Sequence, residues 1–331
     1  MKTNKIKSVI FDMDGVLIDA KDWHYESLNR SLDYYGFTPI SRNDHLSRFD
    51  GLSTIKKLEL HFQTKNLSLQ EHQKINDKKQ ELTLKIVEEK CVPLAIHVDM
   101  LKSLKDQNYQ LAVCSNSISK TIQLMLSKAG IIDYFDFCLS NQDVVNPKPD
   151  PEIYNKAIKK MNLDPKEVLI CEDNVRGIEA AIKSNGYVLE IGTIEDTNYN
   201  NVSTAIEKIE NGNLESQMIR NPVRTARLDS MVGGWFVGDF YPSILSSKEF
   251  EVAVKHYKEG DKESWHVHKV GTEITVILDG KVKMMDKIYK NGDIILLEPG
   301  NGTSFEALTD VKTVVVKTPS AIDDKYLKED L

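Results

Sequence analysis

At 331 residues the chain exceeds what one hydrophobic core ordinarily serves, so two or three domains are expected. Hydrophobic residues make up 40% and charged residues 28%, the balance of a globular chain and not of a disordered one. A formal net charge of −7 gives neither nucleic acid nor an anionic membrane a concentrated positive field; both are excluded as principal partners, and any anionic substrate must be held by local groups.

Asp12 and Asp14 interrupt the first apolar run before it reaches the length of a signal-peptide core, and no stretch approaches the roughly 18 apolar residues of a membrane span. Cys91, Cys114, Cys138 and Cys171 have no CxxC spacing. They read as free thiols of a reducing compartment, so a cytoplasmic location is expected.

Short apolar runs alternate with amphipathic stretches from the first residues to about 210, the signature of βαβ units and a parallel sheet. Strands are predicted at Ser8–Phe11, Gln110–Cys114, Phe137–Leu139, 168–171 and Tyr187–Glu190. Asp150 is expected to cap a helix beginning at Pro151, and Asn174 one ending near Gly186. About 90 residues between the first two strands lack a convincing strand, and 20–89 reads as a helical insertion. Past Asn211-Gly212-Asn213 the chain turns to β-branched runs at 251–254, 274–278, Ile294–Leu297 and 311–316, with hairpin turns expected at Asp279-Gly280 and Asn291-Gly292. The expected organisation is an α/β core from 1–19 and 90–212, an inserted helical cap at 20–89, an antiparallel β-domain at 222–318 and a polar tail at 319–331.

Chemistry-bearing residues gather at the ends of the predicted core strands, the ligand-binding edge of an open α/β sheet. Asp12 and Asp14 follow the first strand, Ser115 the second, and Glu172 and Asp173 the fourth; Lys148 lies in the loop after the third, stiffened between Pro147 and Pro149. Singly, these read equally well as solvated turn residues and a surface lysine. Together, a fixed cation beside carboxylates suits a phosphate.

The segments FDMDGV, CSNS, PKPDPEIY and CEDNVRGIEAA, in this order over about 205 residues, resemble the four motifs of the haloacid dehalogenase superfamily. The resemblance implies a Rossmann-like core and phosphoryl transfer through an aspartyl-phosphate. It makes Asp12 the nucleophile and Asp14 the general acid and base. Ser115, Asn116 and Lys148 become phosphate binders. Mg²⁺ would be held by the Asp12 and Asp173 carboxylates and the Asp14 carbonyl, with Glu172 supporting the metal or Lys148. Such chemistry needs positioning and charge neutralisation more than covalent assistance.

The insertion resembles the cap of the β-phosphoglucomutase-like branch, matched by His24 and by the turn Phe49-Asp50-Gly51-Leu52-Ser53. Thr54 stands where the branch's sugar phosphomutases carry an arginine for a second phosphate, which favours hydrolysis over mutation; Lys56 or Lys57 is a candidate substitute.

In the β-region, Gly260, His266, His268, Glu273 and Gly280 fit the spacing G-x5-H-x-H-x4-E-x6-G of the first cupin motif, and the region resembles a cupin jelly roll. His266 and His268 share one face of a strand, as ligands of one metal must, and Glu273 completes a candidate set for a second, transition-metal ion. Thr303 stands where the last metal-binding histidine of the second motif is expected. A histidine-lined pocket without metal, a second sugar reaction and homodimerisation are the alternatives for this domain. For the whole chain, hydrolysis of a small phosphorylated sugar or polyol is the leading expectation. Sugar phosphomutation is the runner-up, and a non-catalytic scaffold is the alternative from another class.

Overall fold

The computed structural model describes residues 5–49, 52, 54–62, 67–213, 216–220, 225–321 and 324–328. They divide into two units, one of 1–41 with 49–225 and one of 226–331 with 42–48.

The first unit opens with β1 (Ser8–Phe11), then α1 (Lys21–Tyr34), the single turn α2 (Arg42–Asp44), which groups with the second unit, α3 (Thr54–His61), α4 (Leu69–Lys90) and α5 (Ala95–Asp106). It continues with β2 (Gln110–Cys114), α6 (Ser119–Lys128), β3 (Phe137–Leu139), α7 (Glu152–Met161), β4 (Val168–Glu172), α8 (Val175–Lys183), β5 (Tyr187–Glu190), α9 (Tyr199–Glu210) and β6 (Met218–Arg220). The six strands form one parallel sheet in the order β3-β2-β1-β4-β5-β6. Alternate residues of β1 go to opposite faces: Val9 and Phe11 pack with α5, α6 and α9, and Ile10 with α7 and α8. Both faces are covered, which is why the central strands run apolar over 9–11, 111–114 and 168–171.

The insertion is helical, as expected. Leu28, Leu32, Leu58 and Ile75 from α1, α3 and α4 make their own buried cluster with Ile40 and Phe49. Ser68 and Glu71 close a capping box at the start of α4. Of the expected Phe49 to Ser53 turn, Asp50, Gly51 and Ser53 lie outside the described residues.

Two boundaries differ from expectation. The core was expected to end at 212, but β6 adds a sixth strand beside β5; with three residues and one buried side chain, it has no apolar run to announce it. Asp150 accepts from the Glu152 amide at 2.9 Å, as a cap should, although α7 begins at Glu152 and not Pro151. The expected start of the β-domain at 222 falls among undescribed residues.

The second unit contains β7 (Trp235–Val237), β8 (Glu251–Tyr257), β9 (Lys262–Val267), β10 (Thr272–Asp279), β11 (Lys281–Met284), β12 (Lys287–Lys290), β13 (Ile294–Leu297), β14 (Thr303–Ala307), β15 (Val311–Thr318) and β16 (Tyr326–Leu327). They form two sheets, β13-β10-β15-β8-β7 and β12-β11-β14-β9-β16. With the edge strands β7 and β16 set aside, the eight others alternate between sheets in the jelly-roll order except for the consecutive pair β11 and β12, and all their pairings are antiparallel.

This order corrects the two expected hairpins. Asp279-Gly280 and Asn291-Gly292 each carry the chain from one sheet to the other, with Gly280 at φ 87° and Gly292 at φ 91°. The tight hairpin is β11–β12, turned by Met285 and Asp286 at φ 46° and 62°. The expected polar tail is also corrected. β16 pairs with β9, and the buried Asp324 carboxylate accepts from the amides of Lys269, Val270 and Gly271 at 2.7–3.1 Å.

Candidate active site

In the parallel ladder Phe11 lies beside Val113 of β2 and Cys171 of β4. The residues that follow, Asp12, Ser115 and Asp173, together with Glu172, therefore emerge on one sheet edge. Lys148 reaches the same point from the loop after β3. Its buried ammonium donates to Asp12 Oδ1 at 2.6 Å, Glu172 Oε1 at 2.7 Å and the Cys114 carbonyl at 2.8 Å, using all three of its protons. Tyr154 on α7 donates to the same Glu172 oxygen at 2.5 Å, and Glu172 Oε2 accepts from the Asp173 amide at 3.2 Å. The side chain of Glu172 is thus committed to holding Lys148.

Burial pushes Asp12 well above the usual carboxylate range, with Glu172, Asp173 and Asp14 adding to the rise and Lys148 opposing it. Burial acts against the charge on Lys148 as well, but Asp12 and Glu172 outweigh it and raise the lysine. Two ammonium groups, of Lys148 and Lys21, face the carboxyl groups of Asp12, Glu172 and Asp173, which leaves this edge short of positive charge.

Asp14 points to a different set of groups. Ser117 Oγ donates to its Oδ2 at 3.0 Å, and His24 Nε2 lies 3.2 Å from its Oδ1. On the far side of the ring, His24 Nδ1 lies 3.2 Å from Lys79 Nζ, which can only donate. The imidazole is therefore neutral, with its proton on Nε2 and directed at an ionised Asp14. Burial and the Lys79 charge both hold His24 below its ordinary value. Burial would raise Asp14, yet His24, Ser117 and Lys79 bring it below the normal range. Lys79 itself is lowered to about 8 by burial and by Lys57.

Asp12, Glu172 and Asp173 each offer an oxygen within 4.8 Å of the others. This all-oxygen donor set suits a hard divalent cation. Asp173 already attracts a cation, its Oδ2 meeting Lys21 Nζ at 2.8 Å. Gly15 keeps the space open: at φ +90° it turns the chain, and a Cβ there would come 2.2 Å from Asp173 Oδ2. The residues fit Mg²⁺.

Ser115 is buried and accepts from the Ser117 amide at 3.1 Å. Asn116 braces the Lys148 main chain, accepting from its amide at 3.2 Å and donating to its carbonyl at 3.5 Å. Thr54 opens α3 and joins none of these bonds among the described residues. Ser117, Lys79 and Tyr154 were not singled out from sequence. Ser117 and Tyr154 lie inside two of the motifs, two residues after Ser115 and six after Lys148; Lys79, mid-helix in α4, carried no signal.

In the second unit His266, His268 and Glu273 converge within the same 4.8 Å limit. His266 Nδ1 donates to the Ser264 carbonyl at 3.0 Å and His268 Nδ1 to the Asp324 carbonyl, which leaves both Nε2 lone pairs free to ligate. His268 Nε2 lies 3.4 Å from Glu273 Oε2. Burial lowers His266, and the His268 contacts outweigh burial to lower Glu273. Two imidazoles and a carboxylate form a set suited to a divalent transition metal. Thr303 pairs with His266 in the β9–β14 ladder, but its hydroxyl donates to the Ser304 carbonyl at 3.0 Å.

Comparison with known proteins bears on the first unit. The chain is 29% identical over 199 residues to a phosphorylated carbohydrates phosphatase of Thermotoga maritima, covering 58% of this chain and 88% of that protein. It is 26% identical over 188 residues to the pyrophosphatase PpaX of Bacillus velezensis, covering 54% and 80%. Among solved structures, a β-phosphoglucomutase of Clostridium difficile aligns with a TM-score of 0.55 at 25% identity, covering 63% of this chain and 98% of that one. Among the described residues, no helix is long and apolar enough to cross a membrane. Residues 9–191, more than half of the chain, match the haloacid dehalogenase-like hydrolases, and the chain belongs to that family.

Proposed function

We propose that the chain is a magnesium-dependent phosphatase that hydrolyses a small phosphate monoester, a phosphorylated sugar or polyol, through an aspartyl-phosphate on Asp12. The observation that carries this reading is the division of labour between the two carboxylates. Asp12 is clamped by Lys148, and Asp14, two residues on, is oriented by His24 and Ser117. The name of the Thermotoga maritima relative supports the substrate class.

Asp14, ionised in the free protein, takes up a proton from solvent as the anionic phosphate enters beside it; Asp12 then attacks phosphorus, and the bond to the leaving oxygen breaks as Asp14 gives that oxygen this proton. Asp14 then takes a proton from the water that attacks the intermediate, which frees phosphate and restores Asp12. Lys148 fixes the nucleophile's orientation and offsets phosphoryl charge; Ser115 supplies a hydroxyl at the same edge. When bound, Mg²⁺ would be held by Asp12 and Asp173, with the Asp14 carbonyl, and would neutralise charge on the phosphoryl oxygens. Glu172 supports Lys148 rather than the metal. We take 20–89 as a cap that selects the substrate.

Phosphomutation is the second reading, favoured by the similarity to a β-phosphoglucomutase. A phosphate-release screen over phosphorylated sugars, with and without Mg²⁺, separates the two. Hydrolysis predicts inorganic phosphate from a hexose 1-phosphate, whereas stoichiometric hexose 6-phosphate would establish the mutase. Asp12→Asn should abolish turnover in a folded protein; near-normal release would overturn the mechanism, whereas no release from the wild type on any phosphate ester would favour a scaffold.

We read the β-domain as cupin-like, with His266, His268 and Glu273 holding a transition metal. Metal analysis of the wild-type protein against the His266→Ala, His268→Ala double variant tests that assignment.

A further inference from the structure

The two sheets of the β-domain present different outer faces. An antiparallel sheet with one face on a core and the other in water alternates apolar with polar residues. The sheet β12-β11-β14-β9-β16 follows that rule: Lys281, Lys283 and Lys290 share its outer face with Ser304, and Lys262 on β9 meets Glu306 on β14 at 2.9 Å.

The sheet β13-β10-β15-β8-β7 departs from it. Thr275, Ile277, Thr313 and Val315 are buried on the inner side, and the residues between them line up on the outer side across four strands. Leu296 of β13, Ile274 of β10, Val316 of β15 and Val252 of β8 make one row, each the register partner of the next. Ile294, Val276, Val314 and Val254 make the adjacent row in the same way. Directly opposed side chains touch across each strand pair, so the two rows form one contiguous apolar surface. Ile294 and Leu296 are 69% and 56% exposed, so the described residues of this chain leave that surface open. β13 is also an edge strand, and its sequence Ile-Ile-Leu-Leu has neither charge nor proline to discourage another chain; β12, the edge of the other sheet, begins and ends with lysine. A contiguous exposed apolar face marks an interaction surface.

We propose that a second copy of the chain covers this face, the two sheets stacking about a two-fold axis. An isologous contact sets a patch against its own image, so the patch must carry nothing that repels itself. The two rows hold no charge and no polar side chain, so self-contact buries neither like charges nor an unmet donor. The same composition gives a different protein no polar feature by which to be selected. Lys312 and His256 are cross-strand neighbours at one end of the rows, where the rim of an interface stays in water. The area also meets the need of a dimer. The outward positions of β8, β10, β13 and β15, at roughly 32 Å² of sheet each, give a flat area of about 400 Å² per copy. Side-chain relief enlarges this, which brings two copies to the roughly 1,000 Å² of a specific but weak interface. The dimer should therefore form reversibly at micromolar protein.

Sedimentation velocity on the full-length protein over about 1–200 µM is the test. The wild type should pass from monomer to dimer across this range. Ile294→Lys and Leu296→Lys each put a cation into the rows at an exposed position and should weaken dimerisation about tenfold or more, with circular dichroism unchanged. Ile288→Lys is the control: Ile288 is 65% exposed on the lysine-bearing outer face, beside Lys283, and its substitution should leave the dimer intact. A wild type that stays monomeric throughout overturns the proposal, and so does a dimer that persists in both folded row variants or that Ile288→Lys weakens equally. Monomeric protein that co-floats with phosphatidylcholine vesicles assigns the face to a lipid surface and likewise overturns it. The concentration series needs no variant, so misfolding of one leaves the test in force.

Discussion

His268 Nδ1 donates to the main-chain carbonyl of Asp324, 56 residues further along the chain. The Asp324 carboxylate is in turn fixed by three consecutive amides, those of Lys269, Val270 and Gly271. The segment at 324–327 thus closes on the loop that carries His268 and sets both the tautomer and the orientation of the ring. A ligand held this way loses little freedom when it meets a metal.

Asp324→Ala should therefore weaken divalent-metal affinity of the β-domain by about tenfold, at the low end of what losing a ligand's outer partner costs. Competition against a chelator of known affinity reads this directly. Affinity equal to that of the wild type in the folded variant would show that the Asp324 segment does not position His268.

Gly177 lies on α8, and a Cβ there would come 2.0 Å from Glu172 Oε1 and 2.2 Å from Oε2. In an exposed helix interior alanine would gain about 1 kcal/mol over glycine. Here the clash decides the sign, because it displaces the carboxylate that anchors Lys148. Gly177→Ala is expected to lower kcat at least tenfold and to lower thermal stability. A more stable and fully active variant would show that Glu172 can move without releasing Lys148.

Lys79 sits buried with its value lowered to about 8. Unfolded lysine binds its proton more tightly, so this charge opposes folding at neutral pH, and the penalty fades as pH rises from about 8 through the unfolded value near 10.4. Lys79→Met should stabilise the protein by about 2–3 kcal/mol at pH 7, as replacing a buried charge often does. It should also raise KM for an anionic substrate. In the wild type, KM should climb as pH passes about 8, and that limb should vanish in Lys79→Met. A profile unchanged by the substitution would remove Lys79 from substrate binding.

The sequence was most readable where one residue run carries its own signal. β1, β2 and β4 carry apolar runs of three or four residues, and Asp12, Ser115, Lys148 and Asp173 follow strands within short motifs. The glycines at 280 and 292 do sit at positive φ in turns, but turn chemistry is local and does not say which sheet the next strand joins. Met285 and Asp286 make the real hairpin with no glycine to mark them. β6 and β16, of three and two residues, take their place from neighbours. Lys79 reaches His24 across 55 residues, a meeting decided by how α4 packs on α1 and not by spacing.

The two chemistries should be independent. Each unit has its own buried apolar cluster, with Val9, Phe11 and Leu111 in one and Ile277, Val282 and Phe305 in the other. Every group assigned to phosphoryl transfer lies before residue 180, and the edge strand β6 closes the core sheet at Arg220. A chain ending at Thr225 should thus retain phosphate release, whereas one ending at 212 should lose stability by removing β6. The His266→Ala, His268→Ala variant should match the wild type in hydrolysis of a generic phosphate ester while losing any Zn²⁺, Mn²⁺ or Fe²⁺ that copurifies. If that variant folds yet loses hydrolysis, the β-domain contributes to the active site or to an obligatory assembly, and the two chemistries are coupled.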